Sequence, residues 1–137
     1  MGLSYAFGSQ SLQLTRFEQR IRGFITAAPT VANVPRVQID GWNLVWQGSA
    51  DDWRWRTDLE LLEARNRTPG ANFERQLPRR AEQQLTLSLE RAWGDDWWFG
   101  AHALLVSERF DDAANTQRLP GYGKLDLSAE HQLSSDW

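Results

Sequence analysis

Apolar and polar residues alternate along most of the chain. In residues 53–61, one set of alternate positions is almost entirely apolar and the other is entirely charged. Successive side chains of a β-strand point to opposite faces of a sheet, so this period of two predicts a strand with one apolar and one ionic face. Residues 85–90 and 125–130 repeat the pattern. No helical period persists along the chain.

The alternation and the breaks between the alternating segments predict an all-β, antiparallel, up-and-down fold of about seven strands. The predicted strands cover residues 2–8, 11–25, 34–47, 52–65, 79–92, 96–110 and 122–133. In the second strand the apolar positions change from even (Leu12, Leu14) to odd (Phe17, Ile21), which predicts a bulge or register break near Arg16.

The connections between these strands alternate in length. Short ones are predicted at 8–10, 48–51 and 93–95, and long ones at 26–33, 66–78 and 111–121. An up-and-down meander places alternate connections at opposite ends, so one end carries tight turns and the other carries long loops. Membrane barrels of the outer-membrane type have this asymmetry, and we therefore predict a transmembrane β-barrel segment.

The chain has eight tryptophans, and most lie close to a short connection. Indole rings favour the headgroup level of a membrane because the ring body is apolar and its N–H needs a polar partner. We predict a membrane-interface girdle near the short connections, to which Trp137 would be added; its main members are Trp46, Trp53, Trp55, Trp93, Trp97 and Trp98. A second girdle of Phe24, Phe110 and Tyr122 is predicted near the long loops. Core or turn packing in a soluble β-domain is the alternative.

Composition excludes several classes of function. The net charge of −3 gives no basic excess for nucleic acid, and we expect no nucleic-acid partner. No apolar run is long enough for a helical membrane span, while a mean hydropathy of −0.58 is compatible with a β-barrel. There is no cysteine, and His102 and His131 are the only histidines. We expect no metal site, no cofactor and no enzymatic activity.

Three segments resemble the late barrel strands of TonB-dependent outer-membrane receptors, closest to the cobalamin-transporter branch. The first holds Arg36, Val37, Ile39 and Gly41, with Asn43 where the family usually has an acidic residue. The second is the strand start at Leu77, Arg79, Arg80 and Ala81. The third is the most specific, and it consists of Arg109, Phe110 and Asp111, then Leu119, Pro120, Gly121 and Tyr122, then Leu125, Asp126 and Leu127.

The resemblance implies that residues 1–137 are a partial receptor barrel domain, a fragment of a barrel of about 22 strands without its plug and terminal strands. It implies the outer membrane of a Gram-negative bacterium as the location, with outer-membrane lipid and the missing plug and strands as partners. It also implies the TonB energy-coupling complex, acting through the plug. The expected function is uptake of a scarce nutrient such as cobalamin, another corrinoid or a metal chelate.

Long loops on a rigid barrel commonly carry recognition. We therefore predict ligand-binding residues in the extracellular loops, namely Arg67, Asn72, Phe73, Arg75 and Arg118. Covering the barrel rim is the alternative role of these loops.

Two other classes of protein stay open at this point. One is a small soluble lipocalin-like barrel in which the apolar face surrounds an apolar ligand. The other is a complete small outer-membrane barrel, which needs an even number of strands. In the first case the leucines would converge on a closed dry centre, and in the predicted membrane barrel they would face outward.

Overall fold

The computed structural model describes residues 1–26 and 31–133. Within these ranges every regular element is a β-strand, and no helix is long and apolar enough to cross a membrane. The strands are β1 (Gly2–Phe7), β2 (Gln10–Thr26), β3 (Ala32–Ala50), β4 (Trp53–Asn66), β5 (Gln83–Trp93), β6 (Trp97–Val106), β7 (Arg109–Phe110), β8 (Arg118–Leu119) and β9 (Tyr122–His131).

Seven of the strands form one antiparallel sheet in the order β1-β2-β3-β4-β5-β6-β9, and β7 and β8 pair separately as a short hairpin. Each strand of the large sheet pairs with the next strand of that sheet along the chain, which confirms the predicted meander. Two predicted boundaries were wrong. Residues 79–82 belong to a loop, and the sixth strand ends at Val106 because residues 107–121 leave the sheet.

The register places the apolar alternations of residues 53–61, 85–90 and 125–130 on one side of the sheet. Leu14 pairs with Leu44, Leu44 with Leu59 and Leu59 with Leu85, and directly paired residues share a face. Continued across the sheet, this ladder defines the apolar face, which includes Leu3, Tyr5, Leu12, Trp46, Trp55, Leu87, Leu89, Phe99, Ala101, Leu125 and Leu127. The opposite ladder defines the polar face, which includes Gln13, Asn43, Asp58, Thr86, His102 and Asp126.

The predicted register break near Arg16 was wrong. Arg16 pairs with Trp42 in a register that runs without a slip from Gln10 to Arg22. The change from even to odd apolar positions arises because β2 and β3 continue past the apolar band, so that the apolar face becomes charged while the polar face becomes apolar. The ladder is disturbed further along, at Gly23, where φ is +69° and the residue opposite is Pro35, which has no N–H to donate.

Among the described residues, the buried apolar core is small and lies at the long-loop end of the polar face. Val37, Ala64 and Leu77 form it, and each is at most 2% exposed. Ile21 and Phe24 of β2 pack against it from the side. Leu77 comes from the loop between β4 and β5, so this core attaches that loop to the polar face of the sheet.

The leucines of the apolar face do not meet in a closed interior within the described ranges. Leu125 is 65% exposed and Leu127 is 76% exposed. Burial of such side chains is the main source of stability of a soluble domain, and this sheet leaves them uncovered. The arrangement is therefore the one expected for a barrel segment whose apolar face looks outward, and it disfavours the lipocalin-like alternative.

The connections that the structure describes in full keep the predicted alternation. Residues 8–9, 51–52 and 94–96 join strands at one end, which we call the short-turn end. Residues 67–82 and 107–121 form two long loops at the opposite end, called loop A and loop B. The connection between β2 and β3 was predicted as a long loop over 26–33; Thr26, Ala32 and Asn33 belong to strands, and residues 27–30 lie outside the described residues.

Gly41 lies where the neighbouring strands pack closely on the polar face, and its substitution measures that packing. A methyl group at Gly41 would collide with the ring of Phe17 and approach the carbonyl oxygen of Leu61 to 2.7 Å. We expect Gly41→Ala to destabilise the fold by about 1–3 kcal/mol, because the backbone oxygen cannot move away as a side chain can. Urea unfolding in detergent, followed by tryptophan fluorescence, measures the effect. The control is Gly2→Ala, since a Cβ at Gly2 meets only ordinary contacts of 3.5 and 3.6 Å. Equal stability of both variants contradicts the packing argument.

Candidate functional site

Loop A continues the sheet before it crosses the polar face. The Asn66 N–H donates to the Arg75 carbonyl at 2.9 Å, and the Glu74 N–H donates to the Asn66 carbonyl at 2.8 Å. Leu77 then donates its N–H to the carbonyl of Ala64 at 2.9 Å, which places the Leu77 side chain in the buried core. Loop A is thus held by both backbone hydrogen bonds and apolar packing.

Loop B is organised around one carboxylate. Asp112 accepts hydrogen bonds from the Gln117 N–H at 2.8 Å, from the Thr116 N–H at 2.9 Å and from the Thr116 hydroxyl at 2.8 Å. These bonds favour the charged form and lower the pKa of Asp112 below the ordinary aspartate value of 3.8, with the Gln117 N–H as the main cause. The loop returns through the short β7–β8 hairpin to the start of β9.

The two loops are linked directly to each other. The Asn115 side chain pairs with the backbone of Gln76, donating from Nδ2 to the carbonyl at 2.9 Å and accepting the N–H at Oδ1 at 2.8 Å. Arg79 donates its N–H to the Phe110 carbonyl at 2.7 Å and its Nε to Asp111 at 2.6 Å. Four bonds therefore make loops A and B one unit over the long-loop end of the polar face.

The linked loops carry six arginines, and they divide into two groups. Arg67 pairs with Glu74 at 2.6 Å, Arg79 with Asp111, and Arg118 with Glu108 at 3.1 Å. The others have no carboxylate partner in the described part of the chain; they are Arg75, Arg80 and Arg109. Arg80 lies over the Phe24 ring at 5.9 Å and Arg109 over the Tyr122 ring at 5.4 Å.

Arg79, Arg80 and Arg109 line a single hollow of about 230 Å³ beneath the loops, together with Glu60 and Gln84 of the sheet. The Nη1 atom of Arg109 is shielded from solvent and has no hydrogen-bond partner within the described residues. A shielded guanidinium donor without an acceptor is costly, and a bound anionic oxygen would satisfy it. We call this cavity the arginine hollow.

The comparisons with known proteins agree on the family. The model of the TonB dependent receptor-like β-barrel matches residues 1–137, the whole chain. The chain belongs to the TonB-dependent receptor barrel family. Members of this family are transporters rather than enzymes. No curated protein is a significant sequence match to the chain.

Several solved receptors and transporters share the fold. The siderophore receptor PiuA from Acinetobacter baumannii matches with a TM-score of 0.81 and 22% identity, over 98% of this chain and 22% of that one. The ferric citrate transporter FecA matches with a TM-score of 0.83 and 16% identity, over 98% and 23%. The copper transporter OprC matches with a TM-score of 0.73 and 18% identity, over 98% and 22%. The chain therefore spans about a fifth of the length of these receptors.

The five ligand-binding residues predicted from the sequence lie in different surroundings in the structure. Arg67 is engaged with Glu74 and with Gln38 at 3.0 Å, and Arg118 with Glu108. Arg75 and Phe73 are exposed on loop A. Asn72 lines a separate cleft of about 340 Å³ between loop A and the β2–β3 hairpin. None of these five residues lines the arginine hollow, and their ligand role stays a prediction.

The sequence did contain a signal for the arginine hollow. Arg79, Arg80 and Arg109 belong to the receptor motifs, in which they mark strand boundaries, and the sequence alone predicts no ligand role for them. The structure brings them together because loop B folds back on loop A, and no spacing along the chain shows that contact.

The tryptophans of the receptor barrel do not all share one face. Trp46, Trp53, Trp55, Trp93 and Trp97 lie on the apolar face near the short-turn end. Trp98 pairs with Ala92 and Glu130 on the polar face, where Arg54 stacks on its ring at 4.3 Å, so we leave it out of the proposed girdle. Trp137 lies outside the described residues.

The residues of the second girdle predicted near the long loops lie in different places in the structure. Phe24 packs on the buried core, Phe110 belongs to the β7–β8 hairpin, and Tyr122 lies on the polar face. The aromatic residue at this border of the apolar face is Trp42, with Arg16 over its ring at 5.6 Å. Trp42 lies near the middle of β3, because that strand continues past the apolar band.

The histidines do not form a site. His102 pairs with Asp126 on the polar face, and His131 pairs with Trp97 on the apolar face. Within the described ranges, no three histidine or acidic side chains are grouped so that they could hold a metal ion.

The Asn115–Gln76 contact should control the order of both loops. We expect Asn115→Ala to raise hydrogen exchange at the Gln76 amide by about thirtyfold, since a net hydrogen bond contributes about 1 kcal/mol and two are lost. Asn115 has φ of +55°, which alanine tolerates poorly. Asn115→Gly separates the two effects, because glycine tolerates this conformation but lacks the carboxamide. Protection in Asn115→Gly equal to the wild type contradicts a role for the side chain; Ala114→Ser is the control.

Asp112 gives loop B a defined pH dependence. The pKa of Asp112 is lowered in the folded loop. The contribution of its carboxylate to the stability of loop B is therefore fully present above pH 3.8, and it is lost as the pH falls through the lower pKa of the folded state. We expect intrinsic-rate-corrected hydrogen exchange at Thr116 and Gln117 to stay slow until the pH is below 3.8. In Asp112→Asn the Thr116 and Gln117 amides should exchange faster at neutral pH, and the change of exchange rate at low pH should disappear. A wild-type transition at or above 3.8 contradicts the assignment.

Proposed function

We propose that this chain forms wall strands and ligand-contacting loops of an outer-membrane transporter for a small anionic metal chelate. The observation that carries the proposal is the arginine hollow, in which Arg80 and Arg109 lack carboxylate partners among the described residues. Family membership supports transport, and the position of the hollow beneath the linked loops supports a place on the ligand's route.

The location of the hollow is consistent with access from outside the cell. In barrels of the outer-membrane type the long loops are extracellular and the short turns are periplasmic. Loops A and B lie at the long-loop end and attach to the polar face, which in such barrels lines the lumen. A chelate entering from the extracellular side would meet these loops before it reached the rest of the lumen.

The charge of the hollow supports an anionic ligand over a neutral one. Arginine guanidinium groups recognise carboxylate and phosphate oxygens through two parallel hydrogen bonds, and they remain charged at all physiological pH values. Two of the similar solved receptors are named for siderophore and ferric citrate uptake. Because identity to them is below 25%, their cargo suggests a chemical class for this chain and nothing finer.

Cobalamin and other corrinoids stay a prediction from the three sequence motifs. The energy for transport would come from the TonB complex acting on a plug domain, as the family implies. The remaining barrel strands would complete the wall. These partners, like the Gram-negative outer membrane as location, are part of the proposal because the chain covers about a fifth of the solved receptors.

Binding of two probes by the protein in detergent tests the proposal. We expect ferric citrate to bind, and the double variant Arg80→Gln/Arg109→Gln to bind it at least about tenfold more weakly, since a hydrogen bond to a charged group contributes about 1.5–3 kcal/mol. Isothermal titration measures both affinities. Cyanocobalamin is the second probe, and it reports on the corrinoid alternative.

The control is Arg20→Gln, because Arg20 of β2 pairs with Glu18 at 2.8 Å and does not line the hollow. Its affinity should equal that of the wild type. An unchanged affinity in the double variant contradicts the role of the hollow. Binding of cyanocobalamin but not ferric citrate, with no effect of the double variant, would favour the corrinoid assignment.

A further inference from the structure

The apolar face holds one arginine close to the short-turn end. Arg91 of β5 pairs with Trp53 of β4 on one side and with Phe99 of β6 on the other, so its side chain belongs to the apolar ladder. The guanidinium lies 5.0 Å from the Trp53 ring and 5.1 Å from the Trp93 ring. A cation is thus placed among the tryptophans of the proposed girdle.

Arg91 lacks the partner that such a charge needs. No carboxylate pairs with it in the part of the chain that the structure describes, and its buried Nε atom has no hydrogen-bond acceptor there. The two indole rings stabilise the cation from their faces but offer no acceptor oxygen. Placing a charge against hydrocarbon without an acceptor is unfavourable, so an acceptor from outside the protein is expected.

The surface beside Arg91 is an apolar groove of about 850 Å³. Its walls include Leu89, Trp97, Phe99 and Leu127, and among the described residues that line it Arg91 is the one that is charged. A ligand that satisfies both features has an anionic oxygen group joined to a long hydrocarbon chain. A phospholipid has this chemistry, with the phosphodiester for Arg91 and an acyl chain for the groove.

We propose that Arg91, with Trp53 and Trp93, forms a specific site for the phosphate of a phospholipid in the leaflet at the short-turn end. The phosphate oxygens accept from the guanidinium, the indoles hold the guanidinium from its faces, and one acyl chain lies along the groove. The site rests on the outward orientation of the apolar face and is independent of the ligand proposed for the arginine hollow.

Arg16 provides a matched control on the same face. It also stacks on a tryptophan, Trp42, and has no carboxylate partner within the described ranges, but it lies at the opposite border of the apolar band. On β4 the band runs from Trp53 to Leu61, about 26 Å along the strand. A headgroup bound at Arg91 is therefore out of reach of Arg16.

The test uses the protein in detergent with dioleoyl phosphatidylglycerol as the probe and dioleoylglycerol, which lacks the phosphate, as its matched control. Native mass spectrometry counts the bound lipid over a titration. We expect the wild type to retain phosphatidylglycerol in preference to dioleoylglycerol. Arg91→Gln should bind phosphatidylglycerol about fivefold more weakly, because one basic residue near an anionic headgroup contributes about that factor.

Arg91→Lys should be intermediate, since it keeps the charge but not the planar guanidinium, and Arg16→Gln should bind as the wild type does. Equal binding by Arg91→Gln and the wild type overturns the proposal, as does an equal loss in Arg91→Gln and Arg16→Gln.

Heat-modifiable migration on gels shows whether Arg91→Gln is folded. If it is not, the wild-type preference between the two probes decides, and no preference overturns the site. The outcome is distinct from that of the transport proposal, because ferric citrate binding and Arg80→Gln/Arg109→Gln report on the polar face alone.

Discussion

The unbroken register of the antiparallel ladder is the constraint on which the rest of the structure depends. A slip of one residue between any two strands would move a whole strand's leucines to the other face. The pairings from Leu14 through Leu44 and Leu59 to Leu85 avoid that slip across four strands. One face can then meet hydrocarbon while the other stays hydrated, and the short turns and long loops are sorted to opposite ends.

The same ladder also determines where the membrane-facing part ends. β2 and β3 are the longest strands, and they continue past Arg16 and Trp42 into charged positions on the apolar face. Across the sheet from those charges, Val37 and its neighbours become buried under Leu77 of loop A. The exchange of character between the faces therefore does two things at once. It ends the lipid-facing band, and it creates the apolar attachment point that positions the loops over the lumen side.

Much of this fold was predictable because its signals are local. Strand alternation, short turns and the order of the strands follow from residues close together in the chain, and the resemblance to the receptor family gave the correct family. The face of Trp98 was not predictable, because Trp97 and Trp98 are adjacent and only the pairing with Ala92 and Glu130 assigns them. The predicted register break near Arg16 was wrong because the change from even to odd apolar positions in β2 marks the end of the apolar band. The sequence does not show where that band ends.

The arginine hollow shows the limit of reading loops from sequence. Arg79 and Arg109 are 30 positions apart, and what joins them is the pairing of Asn115 with the backbone of Gln76 and of Arg79 with Asp111. The ion pairs of the loops show which arginines are neutralised. Arg67, Arg79 and Arg118 are held by carboxylates and so stiffen the loops, whereas Arg80 and Arg109 are held by aromatic rings, which leave the guanidinium donors free for an acceptor. The linked loops are stiffened by the arginines that pair with acids, and they keep a positive charge that no carboxylate neutralises on the arginines that stack on rings. Recognition of an anionic ligand needs both properties, because donors that are already ordered lose less entropy when they bind.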